Sequence, residues 1–508
     1  MLTSRREERG SALALVLVFG LVLSILVAGL FVLFQSNTES FVWKRNNMQA
    51  RYSAEAGTAL AVHMIMGGAD VPGGDSARAF LGSVDPEVWY DLPSDLGEVM
   101  VYVDPHNDNE QVSQANAYAV RGLARIPTSD GHQTYGMETA VMPENFARFA
   151  CFLDEPDISG AYADGYRFDG PFFANDPVRV VSNSPGRNND PWFYSFQLTS
   201  DYYVAGWGTT HATTPHPLSD LYLEPYERML LGPPYFELGA EPIPFGPSEV
   251  KWQAARDAAQ SGGIFFDGSL YPSLPSGTRM IVGSDSIWAR TPGGTEYSYF
   301  IADTALAKRV IWVENGPGDQ LWIKGDPTAS VIDSMGVDSL LTIGCNGDIW
   351  FYGPLLYAND DMDDPENKCM LGLISIYGDL VMADDPDDNS GIDWASPFHI
   401  EMGVSTGGMG GGEITYDAVV MALSGEFKAE RYWEPTPMSD FNLVGGYIVN
   451  NEGYTTTSGA GLNSVIHYDT RLMTMHPPYF PQTGKWGTVY WKEWPELSLD
   501  IIELDWYH

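Results

Sequence analysis

The chain has 508 residues, of which 44 % are hydrophobic and 13 % are aromatic, and this composition excludes a disordered chain. The length is sufficient for two or three domains. The net charge of -40 excludes nucleic-acid binding, which needs clustered Lys and Arg, and an acidic surface attracts cations instead.

The first predicted element is one long N-terminal helix. Residues 11–34 carry no charge, and at about 1.5 Å per residue they span a hydrocarbon layer of about 30 Å. The helical pattern continues to Gly67-Gly68, so we predict one helix over residues 11–66. Three arginines before the apolar run favour a cytoplasmic N terminus, although basic residues after the run weaken that assignment.

Two motifs in this helix resemble known N termini. Arg9-Gly10 before the apolar run is similar to the class III leader of type IV pilins and type II secretion pseudopilins. The segment Ala54-Glu55-Ala56-Gly57 resembles PilX-type minor pilins. The resemblance implies that a prepilin peptidase removes residues 1–10 by cutting between Gly10 and Ser11. It also implies an inner-membrane anchor at residues 11–34 and contacts with other pilin-like subunits through the helix.

The fifth residue after the expected cleavage site departs from the family pattern. It is Leu15, where most major pilins have a Glu that neutralises a neighbour's N-terminal amine. PilX-type proteins and the K-type minor pseudopilin, which caps a filament, resemble this chain in lacking it. We therefore expect a minor or tip subunit. An ordinary signal anchor is the alternative for this segment.

Three strands are predicted after the helix, at residues 97–103, 116–126 and 133–142, because apolar and polar residues alternate there. A long helix followed by an antiparallel sheet is an α+β arrangement. We assign residues 35–145 to a pilin-like module of this kind.

Residues 146–262 are predicted to form an irregular β region rich in Pro and aromatic residues. The motif Asp169-Gly170-Pro171 with Asn175 suits a tight turn, and a catalytic role for Asp169 is the alternative. Together with Tyr468-Asp469-Thr470-Arg471-Leu472 and a Pro-rich segment at 477–481, it resembles an uncharacterised bacterial domain often found behind PilX-type N termini.

Residues 263–508 contain short apolar runs, such as those at 310–313, 340–343 and 418–422, separated by Gly, Asn or Asp. Runs of four or five residues with turns between them favour a right-handed parallel β-helix over a β-sandwich. We expect the Pro-rich C-terminal stretch to cap this solenoid.

One loop has the spacing of a calcium site. Asp385, Asp387, Asn389 and Asp393 supply oxygen ligands in an EF-hand-like order, but no Glu stands at the twelfth place. A solvated acidic turn is the alternative reading.

The three cysteines leave two possibilities. Cys345 and Cys369 lie in similar surroundings and could form a disulfide, which would leave Cys151 unpaired. Three buried free thiols are equally compatible with the sequence.

The sequence therefore predicts a minor pilin or pseudopilin, a structural or adhesive component of a type IV pilus-like or type II secretion-like filament. Its body would lie in the periplasm or on the cell surface, and it would have no catalytic residues and no cofactor other than Ca²⁺. Two alternatives remain open. One is an envelope-anchored, carbohydrate-active or carbohydrate-binding β-helix protein whose partners are surface glycans. The other is a calcium-stabilised surface protein unrelated to pili.

Overall fold

The computed structural model describes the greater part of the chain. Its described residues are 4–69, 90–91, 97–105, 118–128, 131–157, 160–162, 166–181, 191–207, 210–214, 222–223, 235–267, 278–283, 286–290, 296–300, 307–325, 336–337, 340–357, 359, 361, 367, 369–382, 414–429, 439–457, 460–473 and 475–495. The chain divides into two units. The N-terminal unit comprises Met1–His106, Ala117–Met142 and Thr488–His508, and the unit that we call the β-body comprises Asn107–Asn116 and Pro143–Gly487.

The elements up to residue 148 are α1 (Ser4–Ala69), β1 (Tyr90–Asp91), β2 (Glu98–Pro105), β3 (Tyr118–Thr128), β4 (Gly131–Asn145) and a 3₁₀ turn at Phe146–Arg148. The next are β5 (Cys151–Leu153), β6 (Arg167–Ala174), β7 (Arg179–Val180), β8 (Trp192–Leu198), β9 (Tyr203–Ala205), β10 (Thr210–Ala212), β11 (Tyr222–Leu223), β12 (Phe236–Leu238) and α2 (Gln253–Gly262).

After α2 the chain is built from strands. These are β13 (Ile264–Asp267), β14 (Thr278–Val282), β15 (Ser286–Arg290), β16 (Glu296–Phe300), β17 (Val310–Glu314), β18 (Gln320–Gly325), β19 (Gly336–Val337), β20 (Leu340–Cys345), β21 (Asp348–Phe351), β22 (Leu356–Tyr357), β23 (Met370–Ser375) and β24 (Leu380–Met382). The last are β25 (Ile414–Ala429), β26 (Ser439–Glu452), β27 (Thr456–Thr457), β28 (Ala460–His467), a 3₁₀ turn at Thr470–Met473 and β29 (Gln482–Pro495).

The N-terminal unit combines α1 with a five-stranded sheet in the order β1-β2-β3-β4-β29. Strands β1 to β4 pair antiparallel with their neighbours. Two ion pairs join residues that face each other directly across strands, Arg125 with Glu98 and Arg121 with Glu138. Since a slip of one residue would separate both pairs, they help to fix the register of β2, β3 and β4.

The β-body is built around a long ladder of parallel strands. Its spatial order is β13-β17-β20-β23-β25-β26-β5-β6-β8-β12. A second parallel ladder runs β14-β18-β21-β24-β25-β26. A third runs β25-β26-β28-β6-β8-β11. Strands that follow one another in the chain enter different ladders, so the chain winds from ladder to ladder in successive turns.

The chain enters and leaves the β-body in the middle of these ladders. Strand β5 lies between β26 and β6 in the first ladder, and β28 lies between the same two strands in the third. Next to them, the Phe146 amide donates to the Pro481 carbonyl at 3.1 Å, and the Asn145 side chain donates to the Phe480 carbonyl at 2.8 Å. The β-body is therefore an insertion between β4 and β29, with its two chain ends joined.

The first ladder is buried on both faces. On one face, rings from neighbouring strands pack together, as in the stack of Phe172 on Phe196 with centroids 5.4 Å apart. On the other face, Trp252 before α2 stacks on Trp312 at 5.6 Å, and the Pro478 carbonyl accepts a hydrogen bond from Thr342. Strands covered on both faces are expected to be almost continuously hydrophobic, which explains the apolar runs of β17, β20 and β23.

Several predicted elements are confirmed, and others differ. The N-terminal helix and the mostly-β body that follows it are present. Residues 146–262, expected to be an irregular β region separate from residues 263–508, contribute β5, β6, β8 and β12 to the same ladder as the strands after residue 263. The Pro-rich segment at 477–481 packs on Thr342 and Gly372 in the interior of that ladder and does not cover a terminal strand, because β29 must return to β4.

The proposed disulfide is wrong. All three cysteines are buried free thiols. In the pairing of β20 with β23, Cys345 faces Ser375, whereas Cys369 precedes the opposite end of β23. Six residues of strand separate these levels by about 20 Å, far beyond the Cα separation of a disulfide.

Candidate functional site

The most unusual surface of the molecule is the N-terminal half of α1. The described side chains from Leu15 to Phe34 are all exposed, with Phe19 at 69 % and Phe34 at 73 %. Within the described residues this helix is long and apolar enough to cross a membrane, and none of its most apolar window is buried. An apolar surface of this length is not stable in water and requires lipid or other helices around it.

Polar side chains within and just after this apolar segment are satisfied locally. The Ser24 hydroxyl donates to the Gly20 carbonyl and the Thr38 hydroxyl to the Phe34 carbonyl, both at 2.8 Å. Hydrogen bonds to the carbonyl four residues earlier let Ser and Thr lie in an apolar environment without unpaired donors.

The second half of α1 packs on the sheet through a stripe of small residues. The residues buried along it are Asn46, Ala50, Ser53, Ala54, Gly57, Thr58, Ala61 and Val62. Steps of three and four residues place these side chains on one face of the helix. Small side chains allow the helix axis to approach β2 and β3 closely.

Two glycines show how close this approach is. A Cβ atom on Gly57 would lie 2.4 Å from Val99 Cγ2, and one on Gly122 would lie 2.2 Å from Thr58 Oγ1. In the motif at 54–57, Ala54 and Gly57 are buried against the sheet, while Glu55 and Ala56 are exposed. The close packing of α1 on the sheet therefore explains the small residues of the segment at 54–57 that resembles PilX-type minor pilins.

Two other motifs, separated by about 300 residues in sequence, meet in the β-body. A Cβ on Gly170 would lie 2.2 Å from Tyr468 Cγ, so Gly170 provides the space for this ring. Asp169 accepts hydrogen bonds from Arg167 Nε at 2.7 Å and pairs with His467 Nδ1 at 3.1 Å. Desolvation alone would raise the pKa of Asp169, but the hydrogen bonds and charges of His467 and Arg167 lower it. Asp169 thus has a structural role where β6 pairs with β28.

A buried ion pair lies in the turn just after β28. Asp469 has no exposed side-chain surface, and its carboxylate oxygens accept hydrogen bonds from Nε and Nη2 of Arg471, the shortest at 2.6 Å. Arg471 Nη1 also donates to the Asn367 carbonyl at 3.3 Å. A bidentate geometry of this kind favours a single orientation of the turn after β28.

A group of titratable side chains lies inside the β-body near the same strands. The hydroxyls of Tyr162 and Tyr447 are 3.2 Å apart, and both donate to Glu452. Desolvation raises the pKa of Glu452 to about 7, despite the two hydrogen bonds, which lower it. Burial also raises the pKa of the Cys151 thiol, which lies beside both tyrosines. A void of about 10 Å³ next to Glu452 has the size of one water molecule.

Some of the predicted site residues lie within the described part of the chain, and others lie outside it. Gly10 and Ser11 lie within α1, which begins at Ser4. The predicted calcium ligands Asp385, Asp387, Asn389 and Asp393 lie outside the described residues. Among the residues that are described, no group of three His, Cys, Asp or Glu side chains could hold a metal ion.

Sequence reasoning missed the group of titratable side chains around the half-buried Glu452. Its members come from β5, the bridge at Tyr162, and β26, which are brought together by the pairing of β26 with β5. The only available signal was a charged residue at the end of an apolar strand, which does not distinguish a buried carboxyl from an exposed one.

Comparison with known proteins gives little further support for an assignment of family or function. No family model matches the chain, and no curated protein matches it. Among solved structures, the competence-associated pilin ComZ from Thermus thermophilus is similar over 89 % of this chain and 98 % of its own, with 10 % identity and a TM-score of 0.33. A similarity at this level carries no argument about fold or function.

Proposed function

We propose that this protein is a minor pilin or pseudopilin, a structural or adhesive subunit of a type IV pilus-like or type II secretion-like filament, placed at its tip. The observation that carries the proposal is α1 itself. One continuous helix, Ser4–Ala69, is exposed and apolar from Leu15 to Phe34 and packs on an antiparallel sheet farther along. Such a helix connects a membrane or a helical filament core to a folded body without a linker.

The departure at Leu15 supports a minor position. A carboxylate within an apolar helix is stable only when it is paired, and Leu15 removes the need for a partner amine from a neighbouring subunit. A subunit at the tip has no neighbour above it to supply that amine. The proposed role is structural, with no catalytic step.

The proposed location follows from charge. Arg5, Arg6 and Arg9 precede the apolar segment and favour the cytoplasmic side, against the basic residues that follow it, and this supports a location of the acidic β-body in the periplasm or on the cell surface. We further propose that the β-body is a right-handed parallel β-helix. The three parallel ladders support this proposal, and right-handed crossovers are strongly preferred between parallel strands.

Processing at Gly10 tests the pilin assignment. We expect the mature protein to begin at Ser11 in cells with prepilin peptidase, and Gly10→Val to remain uncut. Gly20→Val is the matched control, because a Cβ at Gly20 meets no atom within 4 Å and lies inside the apolar segment. Mass spectrometry of the N terminus gives the readout. Cleavage of Gly10→Val, or the same N terminus in cells that lack the peptidase, would contradict the proposal.

Calcium binding at Asp385, Asp387, Asn389 and Asp393 stays a prediction, and it belongs to the alternative of a calcium-stabilised surface protein. If calcium binds there, a chelator should lower the melting temperature of the protein and added Ca²⁺ should restore it. A melting temperature that does not change with chelator would remove this alternative.

A further inference from the structure

One groove on the β-body is lined by charged and aromatic side chains together. Its volume is about 360 Å³, which is within the range of small-molecule sites. The lining residues are Pro156, Asp176, Pro177, Arg179, Tyr202, Val204 and His211. None of them belongs to α1 or to the meeting point of the two chain ends.

The base of the groove is a small sheet of β7, β9 and β10. Val204 is in register with Arg179 on one side and with His211 on the other. Residues in register on neighbouring strands project to the same face of a sheet, so Arg179, Val204 and His211 form a row. The turn that contains Asp176 and Pro177, just before β7, supplies part of the wall.

An aromatic pair stands at one side of this row. The rings of Tyr202 and His211 stack with centroids 3.9 Å apart and planes at 14°. Because each ring restricts the other, the pair is a preorganised flat surface. Flat aromatic surfaces in grooves suit ligands that have one apolar face.

The groove is also lined by a guanidinium group, that of Arg179, which offers hydrogen-bond donors to a ligand. Asp176 offers acceptor oxygens nearby, which makes the groove both a donor and an acceptor site.

We propose that this groove binds a neutral pyranose sugar. Its apolar face would pack on the Tyr202 and His211 pair, and its hydroxyls would accept from Arg179 and donate to Asp176. The opposite charges of Arg179 and Asp176 disfavour a ligand that carries a strong charge of either sign. The net charge of -40 further disfavours acidic glycans.

Binding by the full-length chain in detergent tests the proposal. Isothermal titration and saturation-transfer NMR would use methyl hexopyranosides, cellobiose and chitobiose at millimolar concentrations. Glucuronate and glucosamine would serve as charged comparators, and sorbitol as an open-chain comparator without a pyranose face. We expect binding of at least one neutral pyranoside, weaker binding of both charged sugars, and none of sorbitol.

Two substitutions locate the site. We expect His211→Ala and Arg179→Met each to weaken the affinity about tenfold, the loss expected for one hydrogen bond to a charged group or one stacking surface. Tyr377→Ala is the control, because Tyr377 is an exposed aromatic residue, at 48 %, outside the groove. His211 is exposed, so its substitution should leave the melting temperature unchanged and keeps the test valid if the Arg179 variant does not fold.

Three results would overturn the proposal. The first is no binding of any neutral pyranoside. The second is tighter binding of a charged sugar or equal binding of sorbitol. The third is an affinity that His211→Ala leaves unchanged. The pilin assignment is independent of all three results, because it rests on α1.

Discussion

Glu452 is a half-buried carboxyl group beside the hydroxyls of Tyr162 and Tyr447. Its pKa rises from 4.5 to about 7 because desolvation disfavours the ionised form. In the unfolded chain the same carboxyl ionises near its ordinary pKa. Between these two values the folded protein binds more protons than the unfolded chain, so this group lowers the free energy of unfolding as the pH increases.

We predict that Glu452→Gln removes this pH dependence. The pKa difference corresponds to about 3 kcal/mol, lost from the wild type as the pH rises from about 4.5 to about 7. Over the same interval the variant should lose about 3 kcal/mol less stability, because its amide remains neutral. Urea unfolding at a series of pH values measures the difference.

Glu155→Gln is the control for this prediction. Glu155 is an exposed carboxylate on the turn after β5. Its substitution should leave the pH dependence close to that of the wild type. Parallel stability curves for the wild type and Glu452→Gln would show that folding does not raise the pKa of Glu452.

Two ion pairs of different burial give a second prediction at this scale. The side chains of Asp469 and Arg471 are 0 % and 9 % exposed, whereas those of Asp379 and Lys428 are 27 % and 34 % exposed. Asp469→Asn should destabilise the protein by about 3 kcal/mol, because it leaves a buried guanidinium without its counter-charge. Lys428→Met should change the stability by less than about 1 kcal/mol, since solvent screens the exposed pair.

Chemical denaturation of Asp469→Asn and Lys428→Met under the same conditions measures the two losses of stability. Equal effects would show that burial of the Asp469 pair has no energetic consequence. Added salt should reduce the effect of Lys428→Met and leave the effect of Asp469→Asn nearly unchanged.

Among the contacts between elements, the contact between α1 and the sheet depends on glycines that have no side chain at the interface. Gly57 faces Val99, and Gly122 faces Thr58, at distances that leave no room for a Cβ. A helix with larger residues in this stripe would have to move away from β2 and β3 and lose much of their shared buried surface.

We predict that Gly57→Val destabilises the helix–sheet contact by about 1–3 kcal/mol or more, because the added methyl groups overpack the interface. Ala56→Val is the matched control, since Ala56 is the neighbouring exposed residue and adds similar volume. It should have only the small effect of a β-branched residue in a helix. Limited proteolysis and thermal melting of the detergent-solubilised chain compare the two variants. Similar protease sensitivity of the two variants would contradict the close packing.

At the scale of the whole molecule, the β-body is a segment inserted between two strands of another unit. Its chain ends meet through Asn145, Phe146, Phe480 and Pro481. A segment with adjacent ends and its own core satisfies the usual conditions for folding alone.

We therefore predict that residues 143–487 fold as an independent domain with one cooperative unfolding transition. A shorter segment, residues 143–474, should be markedly less stable, because it lacks Phe480, which is 1 % exposed, and uncovers Thr342 and Gly372. Far-UV and near-UV circular dichroism with urea unfolding compare the two. Equal stability would show that the Pro-rich segment is not part of the core.

The sequence alone determined the elements that depend on local pattern. The apolar run at 11–34 predicted the exposed helix, because a membrane span requires only length and the absence of charge. Alternating residues predicted β2, β3 and β4, and short apolar runs predicted strands such as β17, β20 and β21. Each of these signals lies within a few neighbouring residues.

Only the tertiary structure decided which distant segments meet. It placed β5 beside β26, Gly170 against Tyr468, and β29 in the sheet with β4. These contacts join residues hundreds of positions apart, and parallel pairing places no constraint on the order in which segments appear in the chain. The sequence likewise could not show that Cys345 and Cys369 lie at opposite ends of paired strands, or that Glu452 lies beside two tyrosines.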